Sequence, residues 1–446
     1  MSHLKETDAE RWVAGELAPE DRRRIVRHFL SGCRWCRARL ASQADALFHA
    51  EKLDAGTGGL ASSGYEAALD RAADRARRYQ SRHRKDRARL ERALAADSNR
   101  EGTGVAPEVL SLTGWPRVEA LLRLSFEERY RDPQRMVLLA LAACLAVKSL
   151  DLKEHGPGPI ADLLARALAE LANAYRVNEQ FVFTESALIE AGDLLDEGTG
   201  DLSLLARITN VKASLCRDQR RLGEALDLLD ITYDLYRRIG DLHLAGRALI
   251  SRGITLHYDG DSREAVSSLR DGLRLIDSER DVHLAATGSQ ALLHALTDCG
   301  EFAEAGRLLL GSNLRQAFAS EPLNLLKLRG VEGKVLAGLG KLARAERIFA
   351  EVREGFFLFR REYDAALVGL ELAAVWLRQG KTAEVRELAE ETLEVLRDLD
   401  VQQEAFKAAL FLHEACRREA VTLGLLRNVH EFLVRLEWQP HLRFAP

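Results

Sequence analysis

The chain has 446 residues, 47% of them hydrophobic, 30% charged and 6% aromatic, with a net charge of −4. This suits a folded soluble protein, gives no global attraction to nucleic acid or anionic lipid, and argues against a large β-sandwich. Six cysteines in so long a chain do not form a secreted disulfide framework, so a reducing cytoplasm is the expected compartment.

The opening segment MSHLKETDAE is polar and acidic, with no visible signal peptide. AERWVAGELAPEDRRRIVR then reads as a helix, a turn at Gly15, and a second helix opened by Pro19 with Glu20 and Asp21 in its first turn. Proline fits there because the first helical N–H is unpaired anyway, and acidic side chains suit the positive end of the helix dipole. HFLSGCRWCRARL follows from His28 to Leu40. Cys33 and Cys36 form a C-x2-C knuckle, and two thiolates at that spacing can take adjacent corners of a zinc tetrahedron. His28, one turn earlier, can reach a third corner. His3 is the available fourth ligand, since no other Cys or His lies between it and His28. A segment this short lacks the core to fold alone, and a structural Zn2+ would supply the stability. Two other readings stay open: a metal-free dithiol redox pair, for which no preceding strand is apparent, and cysteines with no joint role.

This segment resembles the zinc-binding anti-sigma factor domain, whose members carry an early Cys or His, a GEL-type turn, a helix and H-x3-C-x2-C. The matching residues are His3, AGEL at 14–17, His28, Cys33 and Cys36, over residues 1 to about 45. Two departures are a histidine in place of the first cysteine and a His-to-Cys interval of four residues. The resemblance implies a helical zinc module that holds a sigma factor, and the missing first cysteine argues against thiol switching.

Residues 54–64, DAGTGGLASSG, are a linker by composition. Residues 70–92 carry ten Lys/Arg against four Asp/Glu with no Gly or Pro, which predicts a basic helix. Its plain reading is a solvated connector with i,i+4 charge pairs. The alternative is phosphate contact through Arg82, Arg84, Lys85 and Arg87, weakened by the near absence of aromatic residues for stacking on bases. SNREGTGVA at 98–106 is a second break. Residues 107–157 are expected to form a helical cap, with the apolar run Met136–Val147 as a buried helix. At twelve residues that run is too short for a membrane span, which needs about 20.

A forty-residue period dominates the rest. Ala225, Ala265, Ala305, Ala345 and Val385 share one register, and Gly260, Gly300, Gly340 and Gly380 recur five residues earlier. Twelve residues before each small residue stands Ala213, Gly253, Leu293, Gly333 or Ala373; seven after stands Thr232, Gly272, Ser312, Val352 or Thr392. An earlier copy places Ala172, Tyr175, Thr184, Leu188 and Ala191 in matching slots. Antiparallel helices approach closely only where small side chains meet, and the turn between them favours glycine. The pattern resembles the tetratricopeptide repeat over about 160–400, with a forty-residue period in place of thirty-four, which extra turns of the second helix would absorb.

The expected fold is therefore all-α. A zinc-stabilised domain spans 1–45, a linker and basic connector 46–106, a cap 107–157, tetratricopeptide-like repeats 158–402, and a degenerate capping repeat 403–446. Cys144, Cys216, Cys299 and Cys416 are expected as buried core thiols. His243, His257, His283, His294 and His413 lie on repeat helices and are expected to be surface or packed residues. Glu390 and Glu391 belong to a charged helix face. The chain lacks a P-loop, a G-x-S-x-G and an H-E-x-x-H motif. A non-enzymatic cytoplasmic regulator is expected, without membrane or nucleic-acid partners. Its zinc module would contact a sigma factor and its concave solenoid face a peptide or protein. The alternatives are a general scaffold with a purely structural zinc module, and a nucleic-acid-associated regulator using the basic helix.

Overall fold

The computed structural model describes residues 11, 21, 84–97, 105–319, 321–398 and 403–444. The zinc ligands expected from sequence, His3, His28, Cys33 and Cys36, lie outside these residues. Every regular element among them is helical. In chain order they are α1 (84–97), α2 (Pro107–Leu110), α3 (Trp115–Glu127), α4 (Pro133–Lys148), α5 (Leu152–His155), α6 (Pro157–Val177), α7 (Phe181–Leu195), α8 (Leu202–Asp218), α9 (Leu222–Ile239) and α10 (Leu242–Asp259). They continue with α11 (Ser262–Leu275), α12 (Val282–Asp298), α13 (Phe302–Gly311), α14 (Leu314–Ala317), α15 (Pro322–Gly338), α16 (Leu342–Leu358), α17 (Glu362–Arg378), α18 (Thr382–Asp398), α19 (Gln403–Arg417) and α20 (Leu423–Trp438). None of these helices is long and apolar enough to cross a membrane.

The residues divide into two compact units. The first runs to Cys216 and takes in Asp234–Ile239; the second holds Arg217–Tyr233 and everything from Gly240. In the first, α3, α4, α6 and α7 pack as antiparallel neighbours. The end of the basic connector is anchored there: Leu90 and Ala93 are buried, and Arg123 pairs with Glu91 at 3.3 Å, while Arg84, Lys85 and Arg87 stay exposed. The run Met136–Val147 is buried on one face only. Met136, Leu139, Ala140, Ala143, Cys144 and Val147 face the core, whereas Leu138 and Leu145 are 66% and 68% exposed. A twelve-residue run covers the whole circumference of a helix, but this helix has neighbours on one side.

The second unit shows why the period is forty. Ala225, Ala265, Ala305, Ala345 and Val385 are all fully buried, at the points where paired helices touch. Gly260, Gly300, Gly340 and Gly380 adopt φ between 77° and 94°, the left-handed turn that ends each first helix. In the same register Arg220 takes φ 64° without glycine's freedom. At Gly272 an added Cβ would stand 2.8 Å from the carbonyl oxygen of Gly246 and 2.9 Å from the Ile250 nitrogen. Glycine there lets α10 and α11 meet backbone to backbone.

The residues beyond thirty-four are shared by both helices of a hairpin: α15, α16, α17 and α18 each hold 17 residues. α11 holds 14, and α13 is the shortest hairpin helix, stopping after 10 residues with Ser312 extended at its end and the short α14 following. Asp241 and Asp281 cap α10 and α12, accepting from the Leu244 and Leu284 backbone N–H groups at 3.0 and 2.9 Å. This is a second forty-residue spacing with its own cause, the unpaired N–H groups of a helix start.

Candidate functional site

In the second unit the first helices α10, α12, α15 and α17 lie side by side as an inner row. The helices α11, α13, α16 and α18 back them. The last helix, α20, touches both α17 and α10, the two ends of that row. The row therefore curves around α20. The apolar face of α20 (Leu426, Val429, Leu433 and Leu436) joins the core built by α17, α18 and α19. Tyr363 donates its hydroxyl to the Leu433 carbonyl oxygen at 2.9 Å. At the far end Trp438 stacks on Tyr258 of α10, with ring centroids 3.5 Å apart and planes 7° apart. The Arg220 guanidinium lies 4.3 Å over the Trp438 ring, and Gln439 donates to the Asp259 carbonyl oxygen at 3.1 Å. The strained left-handed Arg220 thus delivers a cation–π contact.

Between the row and α20 sits a polar cluster: His257 from α10, His294 and Asp298 from α12, Lys334 from α15, Glu371 from α17 and His430 from α20. The Lys334 ammonium is 3.2 Å from Glu371 Oε1, and His430 Nε2 is 3.4 Å from the same oxygen. Asp298 is held more loosely. Its Oδ1 is 3.8 Å from Lys334 Nζ and its Oδ2 is 3.6 Å from His257 Nδ1, and 37% of its side chain is exposed. The His257 and His294 rings are 6.2 Å apart.

Burial decides the charge states. It lowers the His257, His294 and His430 pKa values, with His294 pushed down to about 3, so the three imidazoles are neutral at pH 7. Burial would also lower Lys334, but Glu371 and Asp298 overrule it and hold the ammonium above its usual value. Glu371 mirrors this: burial would raise it, and Lys334 above all holds it down. The cluster is therefore one ammonium, two carboxylates and three neutral imidazoles. Among the described residues no group of three or more His, Cys, Asp or Glu side chains is arranged to hold a metal ion.

Sequence reading placed His257 and His294 on repeat helices without joining them. The structure brings them into one groove with residues it did not single out. His294 and Lys334 occupy equivalent positions one period apart, a signal available in the repeat itself. His430 lies outside the regular register and carried no such signal. Of the other histidines, His243 Nδ1 accepts from the Asp277 N–H at 3.0 Å, and His283 stands near Glu321 at 3.9 Å. Cys144, Cys216 and Cys416 are buried as expected, whereas Cys299 is exposed. It caps the end of α12, where the chain leaves the core. Glu391 serves the outer layer, paired with Arg353 at 2.6 Å.

A tetratricopeptide repeat profile matches residues 204–278. No curated protein matches the chain. Among solved structures, a Rap protein complexed with competence and sporulation factor superposes with a TM-score of 0.50 at 11% identity, covering 72% of this chain and 88% of that one. The apo form of the quorum sensor NprR from B. thuringiensis also superposes with a TM-score of 0.50, at 16% identity, covering 68% and 81%. These likenesses concern the fold, and with the hairpin geometry above they show the described residues as an all-helical array of tetratricopeptide-like repeats.

Proposed function

We propose that the protein is a non-enzymatic regulator that acts by binding a peptide or protein, and that the ligand is received by the inner row of the second unit. The observation that carries this reading is the curvature of α10, α12, α15 and α17 around a polar cluster that still reaches solvent: Lys334 is 22% exposed and Asp298 37%. Curved rows of first helices are the binding surfaces that helical repeats supply. The fold neighbours support the same reading, since one was captured with competence and sporulation factor and the other is a quorum sensor. The test is affinity capture from the native host with the full chain, beside a Lys334→Ala, Glu371→Ala variant. A partner retained by wild type and lost by the folded variant supports the reading. A partner retained equally by both would move binding off the inner row.

The N-terminal motif favours a second contribution. His3, His28, Cys33 and Cys36 would hold a structural Zn2+, and the module so formed would contact a sigma factor, as its resemblance to anti-sigma domains implies. Metal content of the purified chain and of a Cys33→Ser, Cys36→Ser variant tests the zinc. A sigma factor captured only by wild type would support the regulatory role. Zinc bound stoichiometrically with no sigma factor captured would leave a structural module on a scaffold.

A further inference from the structure

Helices α10, α12 and α15 run in parallel, and their C-terminal ends converge on the polar cluster. A helix C-terminus carries roughly half a negative charge, and a basic residue in the last turn commonly offsets it. Neither α12 nor α15 has one, and the basic residue of α10's last turn is His257, which is neutral. Asp298 is itself the last residue of α12, a carboxylate placed at the negative end of its own helix. Three helix ends and two carboxylates thus face one close ammonium, Lys334, which stands nearer to Glu371 than to Asp298, while the Arg427 guanidinium of α20 also acts on Glu371. Lys327 is two turns back along α15, about 10 Å away at 1.5 Å per residue.

The second observation is independent of charge. Nδ1 of His257 is out of contact with solvent and has no hydrogen-bond partner among the described residues. It stands 3.6 Å from Asp298 Oδ2, and neither atom bonds the other. A buried ring nitrogen without a partner carries a desolvation penalty, and such groups call for an explanation. A donor-bearing cation at Asp298 would provide one. The carboxylate would accept from it, and a neutral imidazole with its proton on Nε2 would offer Nδ1 as a further acceptor.

We propose that Asp298 and His257 form a subsite for a cationic group of the bound peptide, either its amino terminus or a Lys or Arg side chain. This rests on the peptide-binding reading above and names the chemistry that the groove selects. Asp298 supplies the charge, His257 the directional acceptor, and Glu371 holds Lys334 more closely than Asp298 does.

The probe is a displayed library of random peptides with free amino termini, selected on the full chain. Enriched peptides should share a basic residue or depend on the free amino terminus. The affinity of an enriched peptide should fall at least tenfold on Asp298→Asn and several-fold on His257→Leu, with no change on Glu387→Gln, an exposed carboxylate elsewhere. Replacing the basic residue by norleucine, or acetylating the terminus, should cost the same factor in wild type and little further in Asp298→Asn. Thermal melts check that the variants stay folded. Enriched peptides without a basic group, or bound equally by Asp298→Asn, overturn the subsite and leave the peptide-binding reading standing. Failure to enrich any peptide removes both.

Discussion

Two carboxylates, one in each unit, are held in opposite ways. In the first, Glu119 of α3 is buried and saturated. Arg166 of α6 meets its two oxygens at 2.8 and 3.1 Å, and Arg123 adds a contact at 3.4 Å. A bidentate guanidinium leaves that carboxylate nothing to seek. In the second unit Asp298 accepts no hydrogen bond from its two neighbours, and three neutral histidines surround one lysine. The first arrangement ties helices together. The second keeps polar capacity unspent on a curved face, which is what a site for a ligand requires and a core avoids.

The largest expected consequence is a difference in acid sensitivity. His257, His294 and His430 have folded-state pKa values below the unfolded value near 6.5. As pH falls through that value the unfolded chain takes up protons that the folded chain refuses, so stability falls, by up to roughly 1.4 kcal/mol per pH unit for each imidazole. Glu371 acts in the same direction at lower pH. Its folded pKa is depressed, so its contribution is present above the usual carboxylate value and is lost as pH falls through the folded one. In the first unit Glu127 works the other way, since burial and then Asp97 raise its pKa. Urea unfolding at pH 7 and pH 5, followed by hydrogen exchange in α12 and α15 against α3 and α6, should show the second unit losing more. Equal losses would erase the contrast, and His294→Asn should flatten the dependence in α12.

Next in size is Glu119→Ala. It strands Arg166 beside a buried surface while Arg123 keeps Glu91, and breaking a buried pair costs about 3–5 kcal/mol. Both arginines are 39% exposed, so solvent reduces the loss to about 2 kcal/mol. The exchange protection of α3 and α6 reads it. A loss below about 0.5 kcal/mol would mean that the pair contributes no more than a surface one.

Trp438→Ala should cost about 1–2 kcal/mol, from the stack on Tyr258 and the Arg220 contact. The loss should be confined to the end of α20 and the last turn of α10, because Leu426, Val429 and Leu433 still hold α20 to α17. Exchange that rises throughout α20 would show that Trp438 supports the whole helix.

Much of this was legible in the sequence because repetition amplifies weak signals. One buried alanine says little, but Ala225, Ala265, Ala305 and Ala345 at equal spacing specify a helix contact, and the glycines before them specify its turn. The short α13 was hidden, because Ser312 fits the repeat's small-residue slot while the chain uses it to end a helix. Cys299 and the exposed face of α4 were misread for a related reason: apolar content was equated with burial, whereas burial depends on which neighbours arrive. The polar cluster was the hardest part. Its six residues come from five helices over 174 positions, and His430 meets Glu371 only because α20 folds back onto α17.

Asp298→Asn should have the smallest effect on stability and is the sharpest test of the contrast. An aspartate that mattered to the fold would lose a hydrogen bond or an ion pair when neutralised. Here Asp298 loses only a loose ion pair to Lys334 at 3.8 Å, His257 stands 3.6 Å away without a hydrogen bond, and Lys334 keeps the closer Glu371. Removing the charge also relieves its repulsion with the end of α12, worth a few tenths of a kcal/mol. The two effects oppose each other, so the change should lie within about 0.5 kcal/mol of zero, as for an exposed site. Glu371→Gln should cost about 1 kcal/mol or more, because Lys334 and His430 both depend on that carboxylate. A destabilisation by Asp298→Asn as large as by Glu371→Gln would show that the aspartate is a structural member of the cluster, leaving it no capacity for a ligand.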